Sequence, residues 1–482
     1  MNNWSKILFP ESLMALSVVL AVILDLVTPM SRKRTVAGFA VTAVLSILGF
    51  VLASDHIAGG ISVEQLFTAD SFTLLARFAI LVATALALLA AAGSRSILVS
   101  GQLGVVVICL LSLGLGAMVF AGASNLLTIF IGLEVMSLPS YVLAGLDRRD
   151  RTASEAGMKY VMYGALASGL SLFGMSLLYG LSGTLELVPL GAVLCSVPPA
   201  VIAGPLLLAA AGLAYKLALV PFHAYAPDVY QGAHPVSAGV FSVIPKLAAF
   251  ALLMRVVTLL VPPALADTAA VIFVLVGTVT LLVGAIAALA QKDVQRILAY
   301  SAIGHAGTML LAFAVWPDRS ALAALAWYLL AYLFMNLGAF TAVGVLVDEG
   351  GKATLASLAG TWKRRPWVAA ALVLSLVSLA GIPPLAGFFA KWLLVRELVV
   401  AGLRPGNNWL LAIALTLLLG AVIAAVAYLR IVRSLFASAE DDGLRPDAVS
   451  IPTRLVLLIC AGANLFLGLA LPLVDWLRRV MA

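Results

Sequence analysis

The sequence predicts an all-α, polytopic membrane fold of about 14 transmembrane helices. Three features carry that reading: too little charge to coat a soluble surface, a succession of apolar stretches of bilayer length, and basic residues gathered in alternate gaps. Of the 482 residues, 63% are apolar and 11% charged, with mean hydropathy +1.13. A soluble chain carries roughly a quarter charged residues, and disorder requires low hydrophobicity, so both classes are excluded. Strands of a membrane barrel would alternate in polarity, whereas these stretches are continuous.

Taken in order, the apolar stretches fall at 11–30, 36–53, 72–93, 99–120, 123–144, 155–181, 201–222, 237–260, 268–290, 294–315, 321–347, 368–400, 409–433 and 452–477. Each meets the roughly 17–25 residues that a membrane-crossing helix needs, or exceeds them. The first follows the N-terminus with no small-residue cleavage site, so it reads as a retained helix rather than a leader. The whole chain, 1–482, is expected to form a single transmembrane domain.

Orientation follows from lysine and arginine. With the N-terminus outside, the inner connections hold 18 of the 29 basic residues, among them Arg32-Lys33-Arg34, Arg148-Arg149-Arg151 and Lys363-Arg364-Arg365. The outer connections hold five: Lys6, Arg319, Arg404, Arg478 and Arg479. That bias puts both termini on the outer face. The other six, Arg77, Lys216, Lys246, Arg255, Lys391 and Arg396, fall inside the apolar stretches.

Two spans are interrupted in related ways. The seventh carries Lys216 and then runs into Pro221-Phe222-His223, and the twelfth reads Gly381-Ile382-Pro383-Pro384 before Gly387 and Lys391. Proline removes a helix hydrogen bond, and a broken helix at membrane depth survives only against protein or water. Pro221, Pro383 and Pro384 are therefore expected hinges. Interrupted spans five apart point to two inverted five-helix repeats, at 99–260 and 268–433, with spans 1–3 at 11–93 before them and the last span at 452–477 after.

Few ionisable groups lie near mid-span: Glu134 in span five, Lys246 in span eight and His305 in span ten, with Lys216 and Lys391 on the broken helices. A lone charge at the bilayer centre costs about 2.5–3.5 kcal/mol on insertion scales, which favours a protein-lined or wet interior and a functional role. Burial favours neutral lysine, whereas a carboxylate about 4 Å away at an effective dielectric near ~20 favours the ammonium by ~4 kcal/mol. A Glu134–Lys216 pair of changing separation would thus load and unload a proton, and Lys246, His305 and Lys391 would extend the route. His223, His234 and Asp228, in or beside the inner connection after span seven, are candidates for proton uptake. Asp25 and Glu397 with Arg396 are expected to be interfacial or salt-bridged, and Arg255 to snorkel.

Other functions lack their signatures. The basic residues form no patch interleaved with aromatics, so nucleic acid is not an expected partner. Cys109, Cys195 and Cys460 are far apart, with no CxxC or Cys/His cluster, and no glycine-rich phosphate loop is present. No metal or cofactor site is expected in this chain.

Several stretches together resemble subunit N of proton-translocating NADH:quinone oxidoreductase, respiratory complex I. Leu133 to Leu143, Leu-Glu-Val-Met-Ser-Leu-Pro-Ser-Tyr-Val-Leu, is similar to that family's LELMSLPLYVL signature. Ser154 to Tyr160, Tyr215-Lys216 with Pro221-Phe222-His223, Pro227 to Ala233, Ser242 to Lys246, Leu298 to Ser301 with His305, and Ser378 to Pro384 with Lys391 match further motifs. The resemblance implies an antiporter-like pumping subunit of a translocase whose FMN, iron–sulfur clusters and quinone chemistry lie in partner subunits. It implies Glu134 as the span-five acid, Lys216 as its partner, Lys246 as the central lysine and Lys391 as the connecting residue, with M-type and K-type neighbours in the bilayer. Lysine at the last position and the Asp-Val-Tyr-Gln-Gly loop favour the N type. The loop departs from the relatives' VYEGAPTPV in having Gln231 and His234, and Gln295 stands where relatives often carry lysine.

The rival readings are a subunit of a multi-component sodium/proton antiporter, a subunit of a ferredoxin- or F420-type dehydrogenase complex, and a passive membrane scaffold. The expected location is a bacterial plasma membrane, multi-pass.

Overall fold

The computed structural model describes residues 8–53, 61–63, 66–316, 318–438 and 448–470. The end of predicted span fourteen, 471–477, both chain termini and four of the basic residues used for orientation, Lys6, Arg445, Arg478 and Arg479, lie outside them. Apolar composition and capping side chains together account for the helices. The chain runs α1 (Phe9–Val27), α2 (Arg34–Ala53), a hairpin of β1 (Ile61–Val63) and β2 (Phe67–Ala69), then α3 (Ser71–Gly93), α4 (Arg95–Val99), α5 (Leu103–Gly122) and α6 (Leu126–Ala144). It continues through α7 (Arg151–Ser182), α8 (Leu187–Leu194), α9 (Pro199–Ala209), α10 (Ala211–Leu217), α11 (Ala226–Gly232), α12 (Pro235–Leu260) and α13 (Ala266–Ala290). The remainder is α14 (Val294–Leu310), α15 (Arg319–Gly350), α16 (Thr361–Arg364), α17 (Pro366–Ala380), α18 (Ala386–Gly402), α19 (Trp409–Phe436) and α20 (Ile451–Leu469).

Among the described residues twelve stretches, α12 and Arg319–Asp348 of α15 included, are long and apolar enough to cross a membrane. The bent pair α9–α10 makes thirteen if counted as one span. Predicted span twelve is divided into α17 and α18. Two features depart from expectation. The hairpin, with Ile61 opposite Ala69, interrupts an otherwise helical chain between spans two and three. Predicted span seven bends by 41° between Ala209 and Ala211, well before Pro221, which lies beyond the end of α10.

The contacts divide the chain into two units. The first comprises the described residues of 1–88, 101–225 and 244–272. Here α5 and α6 approach so closely that a β-carbon on Gly132 would lie 2.7 Å from the Phe120 backbone. That approach locks α6, the helix of Glu134. Two buried ion pairs brace this unit. Arg77 on α3 donates to both carboxylate oxygens of Glu11 on α1, each at 2.8 Å. Arg255 does not snorkel: it is 4% exposed, bonded to Asp70 at 2.7 Å, to Thr73 at 2.6 Å and to the carbonyls of Ala121 and Ala123. Its guanidinium has more donors than one carboxylate can use, and the frayed end of α5 supplies the remaining acceptors.

The second unit comprises the described residues of 89–100, 226–243 and 273–482. Its centre is α15, packed on α17, α18 and α20. The His305 span, 294–315, is 94% buried over its apolar window, against 28% for the α19 span in the same unit. A helix enclosed to that degree faces protein nearly all round, which suits a polar residue at its middle.

Candidate functional site

In both interrupted spans the helix before the prolines ends with the same backbone device. At the end of α10 the N–H of Leu219 donates to Ala214 O and that of Ala218 to Tyr215 O, each at 2.9 Å. At the end of α17 the N–H of Ile382 donates to Val377 O at 3.2 Å and that of Gly381 to Ser378 O at 2.9 Å. This is the paired 6→1 and 5→2 closure of a Schellman motif, with its left-handed residue being Ala218 at φ +54° or Gly381 at φ +86°. The Val220–Pro221 and Pro383–Pro384 peptide bonds are cis.

In the first unit the break presents Lys216 in the last turn of α10, 2% exposed. Among the described residues neither Lys216 Nζ nor Glu134 Oε1 has a hydrogen-bond partner, and both atoms are buried. Glu134 is the charged side chain whose field reaches Lys216. The ammonium also lies 5.4 Å from the Tyr215 ring centre. Four tyrosines hold this segment. Tyr215 Oη donates to Tyr160 O at 3.0 Å, Tyr225 Oη donates to Tyr215 O at 2.9 Å, Tyr225 stacks on Tyr160 at 5.2 Å, and Tyr141 meets Tyr160 edge-on. Tyr225 thereby adds a second donor to the Tyr215 carbonyl, which already accepts from Ala218 N–H in the closure of α10. Lys246, 1% exposed, lies on α12 directly after Pro245, in the same unit.

In the second unit Lys391 is the side chain that closes the break. Its Nζ donates to Leu379 O at 2.8 Å and Ala380 O at 3.0 Å, the last carbonyls of α17. A cation at a helix C-terminus is favoured by the macrodipole as well as by the bonds. Gly381 is required there twice over: its φ is positive, and a β-carbon would lie 3.1 Å from Lys391 Cδ. Lys391 and His305 line one cavity with Ser301, Thr308 and Tyr428. His305 Nδ1 is 2.8 Å from Tyr328 Oη and its Nε2 3.2 Å from Tyr428 Oη, which in turn meets Ser301 Oγ at 2.5 Å. The result is a continuous row of exchangeable protons through the imidazole.

The residues expected at proton uptake are placed differently from one another. His223 follows α10, half-buried, with an unpartnered Nδ1, and burial holds its imidazole below the usual value despite the opposing effect of a backbone hydrogen bond. Asp228 is tied to Arg296 at 2.6 Å. His234 has both nitrogens occupied: Nδ1 accepts from Val236 N–H at the start of α12, and Nε2 lies 2.9 Å from Ser96 Oγ and 3.7 Å from Asp348 Oδ1. Gln295 donates to Tyr230 O at 2.7 Å and Ala233 O at 3.0 Å, capping the end of α11. Asp293, which caps α14, is raised above the usual carboxylate value by burial.

Sequence reasoning missed Tyr428 and Tyr328, which lie in apolar runs without a motif of their own, and gave Ser301 no role beyond its place in the span-ten motif. It also missed the partners of Arg255 and Arg77. Asp25 meets expectation, pairing with Lys33 at 2.6 Å.

Comparison with known proteins places this geometry in a family. A profile described as NADH:quinone oxidoreductase/Mrp antiporter, TM, matches residues 123–420, which include Glu134, Lys216, Lys246, His305 and Lys391. The NADH-quinone oxidoreductase subunit N of Geobacillus kaustophilus is 36% identical, over 97% of this chain and 95% of its own. A chain of respiratory complex I from Thermus thermophilus superposes with TM-score 0.79 at 28% identity, covering 96% of this chain and 98% of that one. A chain of the Mrp complex from a Dietzia species gives TM-score 0.80 at 23% identity, covering 98% and 97%, and shares the fold. The two folds fit equally well, so the sequence relatives decide between them. The chain is a multi-pass membrane protein belonging to the subunit N family of NADH-quinone oxidoreductases.

Proposed function

We propose that this chain translocates protons in the membrane arm of an NADH:quinone oxidoreductase, driven by quinone reduction in partner subunits. The observation that carries the reading is the Lys216 ammonium, sealed from solvent, with no hydrogen-bond acceptor and with Glu134 as the charge facing it. Such an ammonium depends on the carboxylate for its stability, and in a medium of low dielectric that dependence is steep in distance. Drawing Glu134 away favours release of the proton, and its return favours uptake. Lys246, His305 and Lys391 are the further carriers. Pro221, Pro383 and Pro384 follow the two breaks, and the five-span halves at 99–260 and 268–433 are read as inverted repeats about them.

The redox groups, FMN, iron–sulfur clusters and quinone, belong in this reading to other subunits. M-type and K-type subunits are the neighbours within the membrane arm. The location is a bacterial inner membrane with both chain termini on the periplasmic side. His223 is the uptake candidate best suited to the work, since Asp228 and His234 are engaged by Arg296 and by Ser96.

The test is the number of protons moved per electron pair by the purified complex in proteoliposomes, with K216M or E134Q in this chain. The expected result is a lowered ratio in an assembled complex. A ratio unchanged in both variants would show that the pair carries no protons and would leave the scaffold reading standing.

A further inference from the structure

A serine at the second break joins the two halves of its span. Ser378, in the last turn of α17, accepts at its carbonyl the Gly381 N–H of the closure described above, at 2.9 Å. Its Oγ accepts the N–H of Gly387, in the first turn of α18, at 3.1 Å. That N–H is one of those a helix start leaves without a partner in its own helix. The hydroxyl proton goes to a third helix: Ser378 Oγ donates to Asn464 Oδ1 on α20 at 3.0 Å. The amide has one orientation, because Asn464 Nδ2 donates to Cys460 O at 2.9 Å, and a carbonyl accepts only from the NH2 side. The row therefore has a fixed sense, from Gly387 N–H through the Ser378 hydroxyl to the Asn464 oxygen.

Ser378 and Asn464 are both 0% exposed. Hydrogen bonds between side chains buried in a membrane add only modestly to stability, and what such a polar pair supplies is register. The backbone of α20 is also pressed against the connection: a β-carbon on Gly468, one turn beyond Asn464, would overlap Pro384 O and lie 3.0 Å from Leu385 Cα. A β-carbon on Gly387 would likewise overlap Ser378 O, so the two half-helices meet there with no side chain between them. The serine fixed in this way stands directly before Leu379 and Ala380, whose carbonyls hold Lys391 Nζ at 2.8 and 3.0 Å. Lys391 lies one turn beyond Gly387 and reaches back towards the break, the direction in which helical side chains lean. Its ammonium thus feels two helix ends of opposite effect: the carbonyl end of α17 favours a cation, and the N–H end of α18 disfavours one. The spacing of those ends sets the balance, and the row through Ser378 sets the spacing.

We propose that Asn464 is a positioning residue for proton transfer at Lys391, acting through Ser378 to hold the two halves of the broken span at the spacing the lysine requires. The proposal rests on the proton-translocating reading above. Asn464 carries no proton in this role. Its effect reaches the lysine through the serine hydroxyl and the two backbone carbonyls that follow it. Helix α20 is then a working part of the subunit and not only a wall of the bundle.

The experiment uses the whole complex in proteoliposomes, measuring protons moved per electron pair as a function of pH. N464L and S378A are expected to lower the ratio towards the value that K391M gives, and no further, and to displace the pH profile. S378T keeps the hydroxyl and is expected to restore both. Combination with K391M separates positioning from general stability: K391M with N464L is expected to give the ratio of K391M alone. A ratio lowered beyond that would mean that Asn464 acts elsewhere, and would overturn the proposal. If K391M lowers the ratio while N464L and S378A leave both ratio and pH profile as they were, the positioning role is wrong and the broader reading survives. If K391M itself changes nothing, the broader reading fails with it. Should N464L not assemble, S378A against S378T decides: equal ratios and equal profiles overturn the proposal.

Discussion

Lys216 and Lys391 sit at equivalent breaks yet are held in opposite ways, one without a hydrogen-bond acceptor and one bonded to two carbonyls. Substitutions around Lys391 therefore act through its geometry. G381A forces a β-carbon into a left-handed residue, at about 1–2 kcal/mol, and against the lysine's own stem. The expected result is a lower unfolding temperature and a lower proton ratio, measured on the same preparation. Y428F removes the hydroxyl between Ser301 and His305 and leaves a buried polar partner unmet, a cost of about 1–3 kcal/mol. Its expected signature is a displaced pH profile of pumping; an unchanged profile would mean that the tyrosine only packs. The lysines were legible in the sequence because a charge in an apolar run is conspicuous. Tyr428 was not, since a tyrosine there reads equally well as an interfacial anchor.

At the level of elements, the two Schellman closures differ in one residue, alanine at 218 against glycine at 381. Alanine pays a steric penalty in that conformation, so A218G is expected to raise stability by about 1 kcal/mol, read as a higher unfolding temperature. The Arg77–Glu11 pair gives a sharper test. R77L alone leaves a buried carboxylate uncompensated and is expected to cost about 3–5 kcal/mol, whereas R77L with E11L recovers most of it. If the double variant is as unstable as the single one, packing rather than charge holds α1 to α3. Proline marked both interruptions in the sequence, with glycine beside it at the second. The 41° bend at Ala210 was not read from the sequence, because the alanines and leucines between Pro205 and Gly212 read as continuous helix. Arg255 was misread for another reason: its carboxylate partner is 185 residues away, beyond the reach of local pattern.

Across the whole molecule, hydropathy set out the spans and basic residues set out the sides, because both are imposed by the bilayer rather than by packing. Within the second unit, connections assigned to the same side meet one another. Ser96, His234 and Asp348 meet from three connections assigned to the inner side, and Asp318 meets Arg404 from two assigned to the outer side. Cysteines placed at exposed Arg148 and Arg404 are expected to react with an impermeant maleimide from the cytoplasmic and periplasmic sides respectively. The reverse pattern would invert the topology. The side-chain row through His305 was not legible, since it joins helices whose pairing only the fold reveals. The hold on Lys391 has a mechanical consequence. An ammonium has three N–H groups and a neutral amine two, and two are what the α17 carbonyls use. The lysine can thus discharge its proton without letting go of the helix. What passes along the chain at that point is a change of electric field across a fixed scaffold, and no segment has to move for it to be felt.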